Sequence, residues 1–140
     1  MKLTRRKVLA LGSGLLITAT LPSLPAHAAK VDEEIQKLTG GAEMGEGGIT
    51  LTTPEIAENG NTVPIEVSAP GAVSIMLLAA GNPNPDVGTF NFGPLAASQS
   101  ASTRIRLAGT QDVIAIAKMA DGSYARASNE VKVTIGGCGG

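Results

Sequence analysis

The chain has 140 residues, room for one domain, with a formal net charge of −1 and aromatic side chains at only 2%. With one histidine, one cysteine and no tryptophan, it lacks the ligands for a His/Cys zinc site and cannot close an intrachain disulfide.

The first residues read as an export leader rather than as part of a domain. Thr4-Arg5-Arg6-Lys7 begins a charged n-region, an apolar stretch follows over residues 8–20, and Leu21-Pro22-Ser23-Leu24-Pro25 breaks it. Ala26-His27-Ala28 has the small-x-small pattern of a signal-peptidase site, so cleavage is expected after Ala28. The adjacent arginines point to twin-arginine export into a bacterial periplasm, an oxidising compartment. The apolar run is short for a membrane anchor and ends at prolines. Twin-arginine export passes folded proteins, so the chain is expected to acquire its fold or partner in the cytoplasm. Loss of the leader removes Lys2, Arg5, Arg6 and Lys7 and no acidic residue, which leaves 112 residues at a formal −5. That balance offers no basic patch for nucleic acid or an anionic membrane. His27 departs with the leader, so Ser-His-Asp and Cys-His catalysis lack an imidazole base. No catalytic residue and no metal ligand set is assigned.

Residues 29–38 read as a short helix, with Val31, Ile35 and Leu38 on one face and Gly40-Gly41 as its stop. This helix either docks a partner or packs on its own domain. With the glycine-rich linker up to Gly48 it forms segment 29–48. Strand patterns then fill 49–135. Residues 49–53 are β-branched. Val63, Ile65 and Val67 alternate with Pro64, Glu66 and Ser68, and residues 73–80 are a continuous apolar run. Gly81-Asn82-Pro83-Asn84-Pro85 is a loop, either a recognition surface or a plain turn. Residues 87–92 follow with Phe90 and Phe92 on one face. Thr103, Ile105 and Leu107 alternate with Arg104 and Arg106, so both arginines face the same way. That arginine face is either simply solvated or a seat for an oxyanion such as sulfate or a sulfonated thiol. Residues 113–119 form another strand, Asp121-Gly122 a hairpin turn, residues 123–128 a strand, Asn129 a turn, and residues 131–135 the last strand. Seven or eight short strands with regularly spaced turns fit an all-β antiparallel sandwich.

The last strand runs into Gly136-Gly137-Cys138-Gly139-Gly140. Glycine imposes little conformational preference, so these residues are expected to form a flexible arm of roughly 17 Å at full extension. Cys138 would ride on it as an unpaired thiol in an exported protein, which marks it as reactive or intermolecular. An ordinary thiol ionises near ~8.5, and no histidine stands by to lower that. Activation is therefore expected from whichever enzyme receives the arm. This is the logic of a carrier, with the substrate tethered covalently and separate catalysts acting in turn. The competing reading is an exported structural module dimerised through a Cys138 interchain disulfide.

The ending resembles the C-terminal motif of the SoxY family, the sulfur-carrier subunits of bacterial sulfur oxidation. Ile56-Ala57-Glu58-Asn59-Gly60 with Val63-Pro64, Gly81-Asn82-Pro83, Thr103-Arg104-Ile105-Arg106-Leu107-Ala108, Asp121-Gly122-Ser123 and Val131-Lys132-Val133-Thr134-Ile135 extend the resemblance over nearly the whole chain. It implies an immunoglobulin-like sandwich and a heterodimer with SoxZ. It implies that Cys138 carries thiosulfate-derived intermediates, with Gly136, Gly137, Gly139 and Gly140 forming the carrier arm. It further implies that the c-type cytochrome SoxAX, the manganese hydrolase SoxB and the sulfane dehydrogenase SoxCD act on the carried sulfur. Haem and metals would belong to those enzymes, and this chain would hold no cofactor.

Overall fold

The computed structural model describes residues 26–135. A helix, α1 (Ala26–Thr39), precedes nine strands among the described residues: β1 (Met44–Glu46), β2 (Thr50–Thr52), β3 (Ile56–Ala57), β4 (Val63–Ser68), β5 (Ala72–Ala79), β6 (Asp86–Asn91), β7 (Ser100–Ile105), β8 (Gln111–Met119) and β9 (Tyr124–Val133). The larger sheet has the order β1-β9-β8-β5-β6, with β3 also pairing β9, and the smaller has the order β2-β4-β7. The fold is an all-β sandwich, as the strand pattern predicts.

Alternation in β4 decides which side meets the core. Val63, Ile65 and Val67 are buried while Pro64 and Glu66 are exposed. They meet Ile75, Leu77 and Ala79 of β5 and Val113, Ala115 and Ala117 of β8 in one cluster between the sheets. Phe90 and Phe92 pack against its margin. Pro64 lies beyond the stretch of β4 that β2 pairs, where the strand has only β7 beside it.

The continuous apolar run of β5 has a second cause. Met76 and Leu78, with Ile114 and Ile116 of β8, point to the opposite face of the larger sheet and pack against Val31 and Ile35 of α1. A strand covered on both faces needs apolar residues at every position, and β5 and β8 are the strands so covered. The helix therefore packs on its own domain, which settles the alternative left open by its sequence. Tyr124 Oη donates to Leu38 O at one end of the helix (3.1 Å) and Lys30 Nζ donates to Pro83 O at the other (2.9 Å). Gly40 and Gly41 end it with φ of 64° and 88°, values that favour glycine. The helix begins at Ala26, so the expected cleavage after Ala28 would trim its first turn.

Three expectations change. The glycine-rich linker contains a strand, β1, which runs parallel to β9 with Glu46 opposite Arg126. The segment after β2 contains β3, also parallel to β9, with Ala57 opposite Val133. Asn129 is not a turn: β9 is continuous from Tyr124 to Val133. The Asn129 side chain instead donates to Leu51 O (2.8 Å) and Thr53 Oγ1 (3.3 Å) of the β2 segment, joining the two sheets where the chain crosses between them. The Asp121-Gly122 hairpin turn is present. Ser123 donates to Asp121 Oδ1 through its N–H (2.9 Å) and its hydroxyl (2.6 Å), and these bonds hold that carboxyl below its ordinary range.

Candidate functional site

The site read from the sequence, Cys138 with Gly136, Gly137, Gly139 and Gly140, lies outside the described residues, as does most of the leader. The described part is the root from which the site springs. Over the last residues of β9 and just past its end the backbone is tied on two sides. Lys132 N–H donates to Glu55 O (2.9 Å) and Thr134 N–H to Ala57 O (3.1 Å), along the β3 segment. On the other side Val133 N–H donates to Thr110 Oγ1 (2.9 Å). The last described carbonyl, Ile135 O, accepts from Gly60 N–H (2.8 Å), and Gly60 O accepts from Leu107 N–H (2.7 Å). The short strand β3 thus has a clear role: it clamps the segment that leads to Cys138.

The loops around this root are stiffened by a buried polar network. Asn82 is 5% exposed and Gln111 8%. Asn82 Nδ2 donates to Arg106 O (2.8 Å), while Asn82 Oδ1 accepts from Ala108 N–H (2.9 Å) and Gln111 Nε2 (2.9 Å). Gln111 Oε1 accepts from Gly81 N–H (2.8 Å). A Cβ at Gly81 would stand 2.9 Å from Gln111 Cβ, so only glycine fits there. The 81–85 loop therefore turns its asparagine inward, to lock the loop before β6 to the loop before β8. No pattern in the sequence distinguishes such an asparagine from an ordinary turn residue.

Arg104 and Arg106 are both exposed, separated by buried Ile105 and followed by buried Leu107. Arg104 lines an open groove of about 690 Å³ on the outer face of the smaller sheet, together with Thr52, Pro64, Glu66 and Ser102. A second groove of about 700 Å³ lies between β1, β2 and β9, beside Glu46, Arg126 and Asn129. Neither is lined by a histidine or cysteine. Large exposed apolar side chains stand at the root (Ile56 and Ile135) and elsewhere at Val73 and Leu95.

With this geometry in place the comparisons are informative. The family described as "Sulfur oxidation protein SoxY" matches residues 35–138, from the core-facing Ile35 through Cys138 itself. The chain belongs to the SoxY family. Among solved structures, the sulfur carrier protein SoxY from Chlorobium limicola f thiosulfatophilum is similar at 36% identity and a TM-score of 0.67, covering 77% of this chain and 99% of its own. The superoxide reductase (neelaredoxin) from Ignicoccus hospitalis is similar at 22% identity and a TM-score of 0.55, covering 62% of this chain and 80% of its own. At that identity the likeness concerns the sandwich alone. No curated protein matches the chain. The SoxY family match takes in every element of the sandwich and the strand that ends at the clamped root, so the chain's place is in sulfur oxidation.

Proposed function

We propose that this protein is a non-catalytic carrier that holds thiosulfate-derived sulfur on Cys138 and presents it to the enzymes of the Sox system in the periplasm. The observation that carries the reading is the family match, which ends at Cys138, three residues beyond the clamped Ile135. A fixed root with a reactive thiol a short way beyond it suits delivery of one sulfur atom into other proteins' active sites.

The chemistry divides between carrier and enzymes. Conjugation of thiosulfate joins its outer sulfur to the Cys138 sulfur. The thiol proton and two electrons leave, the electrons to the c-type cytochrome SoxAX. Water then attacks the sulfonate sulfur under the manganese hydrolase SoxB, sulfate departs, and the sulfane sulfur stays on Cys138 as a persulfide. The sulfane dehydrogenase SoxCD oxidises that sulfur further. The chain after its leader has no histidine to ionise the thiol, so each receiving enzyme supplies its own activation. SoxZ is the stable partner in this reading. The leader directs export by the twin-arginine route with cleavage after Ala28. Residues 29–48 precede the sandwich of 49–135, and 136–140 form the carrier arm.

The test is the mass of the C-terminal peptide from protein isolated, unreduced, from cells grown on thiosulfate. Sulfur or thiosulfonate adducts on Cys138 that a reductant removes are the expected result. A bare thiol, or only a Cys138–Cys138 disulfide, would refute the carrier role and favour a covalently stapled dimer.

A further inference from the structure

Asn59-Gly60 lies in the middle of the root and carries a chemistry of its own. The side-chain carbonyl carbon of an asparagine can be attacked by the backbone nitrogen of the next residue. A glycine in that next position has no side chain to hinder the attack. Here the Asn59 side chain is exposed while Gly60 is buried. Both polar atoms of the peptide bond between them are engaged: Gly60 N–H donates to Ile135 O (2.8 Å), and Asn59 O accepts from Thr62 N–H (3.4 Å). Asn59 Oδ1 accepts from Asn61 N–H (2.9 Å), a bond that turns the side chain forward along the chain. Gly60 O accepts from Leu107 N–H (2.7 Å), so Gly60 is held from two sides. The residues before the dipeptide are tied to the same segment. Ala57 O accepts from Thr134 N–H (3.1 Å) and Glu58 O from Thr134 Oγ1 (3.3 Å). Residues 57–60 therefore follow residues 134–135 in a register that leaves no slack at Asn59.

We propose that Asn59 is a deamidation site which the clamp on Ile135 holds shut, and that deamidation to isoaspartate, once the clamp has opened, prevents it from closing again. In the reaction the Gly60 nitrogen bonds to Asn59 Cγ and gives up its proton. The bond from Cγ to the side-chain nitrogen breaks, ammonia leaves, and a succinimide ring remains. Water opens that ring at either carbonyl and gives aspartate or isoaspartate. No oxidant, metal or cofactor is required. The clamp opposes the first step in two ways. The Gly60 N–H is hydrogen-bonded and buried, so its proton is out of reach of hydroxide. The nitrogen can swing onto Cγ only if Gly60 rotates away from Ile135 O and Leu107 N–H, which costs a local opening. Isoaspartate routes the main chain through the former side chain and inserts one methylene between Asn59 Cα and Gly60 N. Glu58 O and Gly60 N–H can then no longer meet Thr134 and Ile135 together, and the anchoring of the chain end is lost. Aspartate adds the same charge without the extra methylene and leaves the register intact. The inference concerns the root alone and holds whatever Cys138 carries.

The purified protein is incubated in mildly alkaline buffer, folded and in urea, and the peptide containing Asn59 is followed by mass and by isoaspartyl methyltransferase labelling. Asn59 is expected to deamidate at least ~10-fold more slowly in the folded protein than in urea, because the reaction there waits for the local opening. Thr134→Pro removes both donors that Thr134 gives to residues 57 and 58, and Thr110→Val removes the acceptor of Val133 N–H. Across the parent and these two variants the deamidation rate is expected to rise in step with hydrogen exchange at the Gly60 amide. The isoaspartyl form, separated by anion exchange, is then compared with Asn59→Asp. Fast exchange at the Gly60 and Leu107 amides is expected in the isoaspartyl form, and parental exchange in Asn59→Asp. Equal rates in the folded and urea-treated protein would overturn the proposal, as would a rate indifferent to Gly60 exchange. An isoaspartyl form with parental exchange at Gly60 and Leu107 would overturn the second half of it, the loss of the clamp.

Discussion

Asn82 serves three partners with one side chain: Arg106 O, Ala108 N–H and Gln111 Nε2. All are at or near the root of the arm, and Asn82 and Gln111 are themselves buried. Asn82→Ala would leave Arg106 O and Ala108 N–H without that partner, while Gln111 Nε2 keeps Gly109 O (3.0 Å). Such orphaned groups cost about 1–3 kcal/mol. The expected outcome is a fall in the thermal midpoint by several degrees, read by calorimetry, with faster hydrogen exchange at Ala108 than at β4 amides. An unchanged midpoint would mean that the loops are held without the network. In the sequence Gly81-Asn82-Pro83 reads as a turn, and it is one. What its composition does not carry is the direction of the Asn82 side chain, which depends on Gln111 arriving from the start of β8.

At the scale of elements, α1 is held by its own buried face rather than by length. Val31 and Ile35 are its deepest side chains, each worth ~1.5–3 kcal/mol when fully buried. A Val31→Asp/Ile35→Asp variant is expected to detach the helix and uncover Met76, Leu78, Ile114 and Ile116. Hydrogen exchange would then be fast throughout α1 and slow in β5 and β8, and binding of an apolar dye would rise. Helix protection equal to that of the parent would show that the Tyr124 and Lys30 contacts alone keep it docked. The strands that carry their own pattern were legible from it: β4 by alternation, β5 and β8 as apolar runs, and β7 by the alternation that turns Arg104 outward and Ile105 inward. Strands β1 and β3 were not, because two or three residues carry no period and each exists only by lying beside β9. Asn129 misled for a related reason. Its side chain bonds to the β2 segment satisfy in tertiary structure what an asparagine commonly satisfies within a turn.

For the molecule as a whole, the clamps on Ile135 and the buried Asn82–Gln111 network gather at one end of the sandwich. A root that cannot move makes reach depend on the residues between Ile135 and Cys138, and there are only two, Gly136 and Gly137. Deleting both shortens the reach by ~7 Å and brings the thiol up against the sandwich. An enzyme whose reacting centre lies inside a cleft would then meet the sandwich before the sulfur arrives. Thiosulfate oxidation in a reconstituted Sox mixture is therefore expected to fall more than ~10-fold on deletion, while tetrathionate still loads Cys138 in the isolated protein. Adding two glycines should matter far less, because lengthening a flexible tether lowers effective concentration only slowly and each doubling of a loop costs ~0.6 kcal/mol. The asymmetry is the diagnostic. Reach imposes a threshold on shortening, whereas dilution imposes a gentle slope on lengthening. A deletion that oxidises thiosulfate at the parental rate would show that the receiving enzymes accept the thiol at the surface of the sandwich. The exposed Ile56 and Ile135 would then be part of the contact they make.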